Sequence, residues 1–227
     1  EPKVLGLGYA ATRDLVAFLR SGQKDAKGRA NPLAPTGAAD RGGLKTLAIG
    51  ISQSGRFLRH FLELGMNADE KGQRVFDGVH AHISGAGKVF ANHRFGMPNR
   101  TATQHEDRFY PESWFPFGYR LEQDHFTGRN GRLVSQKRTA PRIVESNTST
   151  EYWQKAASLV HTDPKGRGDA DLPANVRVYL IAGTQHGGRA GLDDSRGLCQ
   201  MPRNPSNPAP ALRALLVALE EWVVKGT

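Results

Sequence analysis

Three residue types along this chain have flanks and spacing suited to acyl transfer: a serine in a tight small-residue turn, a histidine in a glycine-flanked loop, and glutamates between them. The serine is Ser52, in Gly50-Ile51-Ser52-Gln53-Ser54-Gly55. A strand that turns sharply into a helix strains the backbone of the turn residue and needs small neighbours two positions to either side; this is the physical content of a G-x-S-x-G elbow. Centred on Ser52, the small positions hold Gly50 and Ser54, with Gly55 next; centred on Ser54, one of them would hold Arg56. Ser52 is therefore the favoured nucleophile. A serine at a helix start is also an ordinary N-cap, so the chemical reading depends on its partners.

A serine nucleophile needs a base within hydrogen-bond reach and a carboxylate to orient that base. His186, in Gly183-Thr184-Gln185-His186-Gly187-Gly188, directly follows the last apolar strand-like run. A histidine among glycines on a loop is poorly explained by core packing, which favours it as the base. Two glutamates compete for the acid. Glu145 falls inside a strand-like run, where its side chain would enter the sheet packing or pair with an arginine of the region before it, and Glu151 falls at a loop-to-helix boundary after that run. Glu151 is favoured and Glu145 is the alternative.

The oxyanion formed in acyl transfer needs preorganised N–H donors. The backbone N–H of Gln53, at the N-terminal end of the helix after the elbow, supplies one, and the helix dipole assists it. The second normally comes from a loop after an earlier strand, and no such strand precedes the elbow in this sequence. His80 and His82 share one face of a strand, but two ligands without a third do not make a metal site.

These residues must be held by elements that the apolar pattern outlines. Residues 45–52, 77–84, 141–146 and 175–182 are short apolar or β-branched runs ending at turn residues, as strands buried in a parallel sheet tend to be. Helical periodicity lies between and around them. Residues 10–20 place Leu15, Val16 and Leu19 on one face, residues 55–64 do so with Phe57, Leu58, Phe61 and Leu62, and 209–224 with Leu212, Leu215, Leu216, Leu219 and Trp222. A helix start is expected at Glu151 after the N-cap cluster Asn147-Thr148-Ser149-Thr150. Strands alternating with helices predict an α/β fold with a parallel sheet. Residues 86–140 fit neither period and are rich in aromatics, so they are expected to form a cap-like insertion over one end of the sheet, with Phe109, Trp114, Phe115 and Phe117 walling a pocket and Arg94, Arg108 and Arg120 nearby.

With 227 residues and 38% hydrophobic content, the chain has the size of one domain. The net charge of +9 is dispersed in single residues and short clusters rather than a basic stripe with stacking aromatics, which argues against a nucleic-acid partner. No apolar run approaches the ~20 residues of a membrane span. The lone Cys199 excludes an internal disulfide framework. The chain opens on Glu1 rather than Met, and a segment upstream is the expectation.

The segments GYAATRDLVAFLR, AIGISQSGRFLRHFLELGMNADEKGQRVFDGVHAHISGAG, RFYPESWFPFGY, SNTSTEYWQKAASLVHTDPKG and NVRVYLIAGTQH, in that order, resemble bacterial α/β-hydrolase domain proteins with a GxSQSGR elbow and a TEYW segment. The resemblance spans almost the whole chain. It implies a serine esterase acting on a small-molecule carboxylic ester without metal or organic cofactor, with Ser52 as nucleophile, His186 as base and the Glu of TEYW, Glu151, as acid; related esterases more often carry Asp there. It also implies that residues 1–227 form the C-terminal part of one α/β-hydrolase domain, with about four parallel strands present. The earlier strands, and the second oxyanion donor, would come from an N-terminal segment or a companion chain of the same protein. The competing reading is a hydrolase-fold protein that binds or scaffolds without catalysis.

Overall fold

The computed structural model describes residues 6–34, 43–89, 91, 113–188, 196, 200–202 and 204–227. The chain runs through α1 (Leu7–Ser21), β1 (Leu47–Ile51), α2 (Gln53–Glu63), β2 (Gly78–His82), the short pair β3 (Glu122–Gln123) and β4 (Asn130–Gly131), then β5 (Arg142–Thr148), α3 (Ser149–Gln154), β6 (Val176–Ile181) and α4 (Ala209–Lys225). Four strands form one sheet in the order β1-β2-β5-β6, and every pairing is parallel.

The sheet is the α/β arrangement expected from the four apolar runs. Its strands carry apolar residues on both faces because helices cover both. On one face Val79, Ile143 and Val176 pack with Leu58, Phe61 and Leu62 of α2, Phe76, and Tyr9 of α1. On the other, Val144 packs with Leu219 and Trp222 of α4. Fully burying side chains of this size is worth about 2–3 kcal/mol each. Gly78 lets α4 approach, since a Cβ there would stand 2.9 Å from Val223 and 3.1 Å from Leu219.

β5 is two residues longer than its apolar run suggests. Asn147 and Thr148 are polar, yet they pair with Leu180 and Ile181 of β6 and are buried. The helical stripes hold only in part: Leu15 of α1 is 58% exposed and Leu216 of α4 is 37% exposed. Neither helix is covered as widely as its period allows. Among the described residues β1 pairs only with β2, and its Ile49 and Ile51 are half exposed.

Of the 86–140 region, residues 90 and 92–112 lie outside the described residues, and with them Arg94, Arg108 and Phe109. The part from Trp114 to Tyr119 is fastened to α2 and β5 by buried charge. Arg59 of α2 donates to the carbonyls of Phe117 and Gly87 and forms an ion pair with Glu145 of β5 at 2.5 Å. Tyr119 Oη donates to the same carboxylate at 2.6 Å. Lys88, also buried, reaches Glu63 at 2.7 Å and the Pro116 carbonyl at 3.2 Å and lies over the Trp114 ring.

Candidate active site

Parallel strands deliver their C-terminal ends to one edge of the sheet, and the turns that follow them converge there. Ser52 follows β1. Its backbone has φ 58° and ψ −118°, a conformation disfavoured for a residue with a side chain, and α2 begins at the next residue. The bend is held from two sides. Ser52 N–H donates to the His82 carbonyl at 2.9 Å, and its carbonyl accepts from Arg56 N–H at 3.0 Å.

The small residues around Ser52 have separate structural causes. A Cβ at Gly50 would overlap the Ser54 carbonyl as α2 folds back over β1, and a Cβ at Gly55 would stand 2.9 Å from the His82 carbonyl on β2. Gly55 is therefore where α2 touches the neighbouring strand. Ser54 is exposed. The next turn is strained too: Ile83, after β2, is a buried β-branched residue at φ 47°.

His186 stands on the loop after β6. Gly183 opens that loop at φ 71°, a left-handed conformation that favours glycine; its N–H donates to Ser149 Oγ at 3.0 Å and its carbonyl accepts from Asn204 at 2.6 Å. Thr184 Oγ1 caps the strand through the Ile181 carbonyl at 2.6 Å. The result brings His186 Nε2 to 3.0 Å from Ser52 Oγ, across 134 positions of sequence.

His186 Nδ1 lies 2.5 Å from Glu151 Oε1. Glu151 is buried, whereas the His186 side chain is 45% exposed. The other oxygen of Glu151 accepts from Thr148 N–H at 3.3 Å and from the Thr148 hydroxyl, closing a capping box at the start of α3. Within the expected N-cap cluster Thr148 is the cap, and α3 begins at Ser149 rather than at Glu151, which stands third in the helix as Thr-x-x-Glu spacing requires. Glu145, the alternative acid, is engaged elsewhere: both its oxygens accept from Arg59, with Tyr119 on one of them. Its arginine partner comes from α2 and not from the 86–140 region.

Gln53 is the first residue of α2, so its N–H is one of the helix's unpaired leading donors, adjacent to Ser52. His82 and His80 pair with Ile51 and Ile49, one and three positions before the elbow serine, and lie on the α4 face of β2. Ser146 Oγ sits between them, 2.8 Å from His80 Nε2 and 2.8 Å from His82 Nδ1. Burial, with His82 alongside, pushes the His80 imidazole down to about 4, and burial lowers His82 as well. Both are neutral at pH 7. Among the described residues no group of three His, Cys, Asp or Glu is placed to hold a metal ion, and no helix is long and apolar enough to cross a membrane.

The arrangement can pass a proton from a serine hydroxyl to an imidazole whose far nitrogen is held by a buried carboxylate. A family model described as an alpha/beta hydrolase domain matches residues 2–227. No curated protein and no solved structure matches the chain.

Proposed function

The chain belongs to the alpha/beta hydrolase domain family, and on that premise we propose that it is a serine hydrolase of carboxylic esters, working through an acyl-enzyme with Ser52, His186 and Glu151. The observation that carries this reading is the continuous path from Ser52 Oγ through His186 to Glu151, with separations of 3.0 Å and 2.5 Å, assembled from the ends of three different strands. A serine acting only as an N-cap would not need a histidine at hydrogen-bond distance. Ser52 makes no side-chain cap hydrogen bond to α2.

In the first step Ser52 Oγ attacks the ester carbonyl carbon while His186 Nε2 takes the hydroxyl proton. Glu151 keeps the Nδ1–H tautomer aimed at itself and stabilises the imidazolium that forms; it does not take the proton. The carbonyl oxygen becomes an oxyanion facing Gln53 N–H, where one such donor is worth about 3–4 kcal/mol. His186 then returns its proton to the departing alkoxide, leaving the acyl group on Ser52. Water, deprotonated by His186, attacks that acyl group, and the acid leaves as Ser52 regains its proton.

The second oxyanion donor is assigned to a further segment of the same protein that pairs with the edge of β1 left without a partner strand among the described residues. The half-exposed Ile49 and Ile51 support that assignment. Full esterase activity from a preparation whose intact mass shows only these residues would remove it.

A fluorophosphonate probe and a panel of ester, lactone and amide substrates, run on the complete protein beside Ser52→Ala, test the whole reading. Labelling at Ser52 and ester turnover lost in Ser52→Ala are expected. Turnover that survives in the variant, or a complete protein that the probe fails to label, favours the non-catalytic binding module instead.

A further inference from the structure

The parallel sheet has a second end. Lys45, Asp77, Arg142 and Asn175 each stand just before or at the start of a strand, and with Arg74, Arg132, Lys137, Tyr119, Val176 and Val223 they line a cavity of about 530 Å³. Ser52 and His186 lie beyond the other ends of these strands, separated from the cavity by the strand length, about 16 Å for five residues. The cavity is therefore no part of the esterase site. Its volume falls within the ~300–1,000 Å³ of small-molecule sites.

Its charge is one-sided. Five cations line it, Lys45, Arg74, Arg132, Lys137 and Arg142, against the single carboxylate of Asp77. Asp77 is already engaged: Arg20 holds both its oxygens, at 2.6 Å and 3.0 Å, and Thr46 N–H donates to it at 3.1 Å. Arg74 reaches it only at 3.6 Å, and Arg74 Nε is buried without a hydrogen-bond acceptor. Arg142 lies over the Trp222 ring at 5.1 Å, an interaction that leaves its N–H donors free to bond elsewhere. Among the described residues, Lys45, Arg132, Lys137 and Arg142 form no ion pair with a carboxylate.

We propose that this cavity binds a small molecule carrying two or more phosphoryl groups. Guanidinium forks match phosphate oxygens two at a time, and the cavity gathers three of them. A monoanion would leave most of the five cations unscreened. The concave site also differs from the extended basic stripe that tracks a nucleic-acid backbone.

Inorganic pyrophosphate, titrated calorimetrically into the full protein, tests the proposal, with citrate and a single-stranded oligonucleotide as separate arms. Saturable one-to-one pyrophosphate binding is expected, several-fold weaker when salt is raised from about 50 to 200 mM. Lys45→Gln/Lys137→Gln, both exposed positions, and Arg142→Gln separately, should each weaken it at least tenfold while fluorophosphonate labelling at Ser52 is unchanged. Three results overturn the proposal: no saturable pyrophosphate binding, binding unaffected in both variants, or tight citrate or oligonucleotide binding that pyrophosphate does not displace. Because labelling is read independently, failure here and failure of the esterase reading are distinguishable.

Discussion

Glu151 serves two partners at once: one oxygen stands 2.5 Å from Nδ1 of His186 and the other closes the N-terminal cap of α3 through Thr148. The helix start and the histidine's orientation thus share one buried carboxylate.

That sharing separates charge from shape in a single substitution. Glutamine can replace glutamate in a capping box but cannot stabilise an imidazolium as an anion does. Glu151→Gln should therefore keep its melting temperature within a few degrees while kcat/KM for the best ester falls on the order of 10⁴-fold. Equal losses in stability and activity would mean that Glu151 is chiefly a helix cap.

Arg59 and Glu145 are both fully buried. Removing one partner strands a charge in the core, so Arg59→Met should cost about 3–5 kcal/mol in urea unfolding. Adding Glu145→Leu to it should restore a large part of that loss. If the double variant were no more stable than the single one, the carboxylate would not be the source of the penalty.

His80 makes stability depend on pH. Its folded value of about 4 lies below the ordinary histidine value of 6.5, so the unfolded chain binds the proton first. The stabilisation is fully present above about pH 6.5 and is lost as pH falls through the window down to about 4, by roughly 3 kcal/mol in all. Urea midpoints measured from pH 7.5 to 4.5 should fall more steeply for the wild type than for His80→Gln. Parallel curves would place the protonation elsewhere.

Gly55 sets how closely α2 approaches β2. Gly55→Ala puts a Cβ 2.9 Å from the His82 carbonyl, and the helix must move. A stability loss of about 1–3 kcal/mol is expected, with slower fluorophosphonate labelling of Ser52 because the helix that carries Gln53 shifts with it. Labelling at the wild-type rate in a destabilised variant would show that the elbow does not depend on this contact.

The sheet was legible in the sequence because its strands are buried on both faces and so read as continuous apolar runs. The turn at Ser52 was legible because a sharp strand-to-helix bend restricts its neighbours to small residues. The order of serine, glutamates and loop histidine was also visible. The helical stripes were read too widely at Leu15 and Leu216, since periodicity shows which face is apolar and not how much of it a neighbour covers.

Other relationships join residues far apart in the chain, and no local pattern reports them. Arg59 finds Glu145 across 86 positions, Ser146 falls between two histidines of another strand, and five scattered cations meet at one end of the sheet. Their charges looked dispersed because parallel strands return to the same edge only after a helix or a long connection. Sequence alone determined the elements and the residue types available for chemistry, through periodicity and the steric demands of a turn. Tertiary structure decided which glutamate meets His186, because the partners of both come from distant parts of the chain: Glu145, inside β5, meets Arg59 of α2, and Glu151, in α3, meets His186 on the loop after β6.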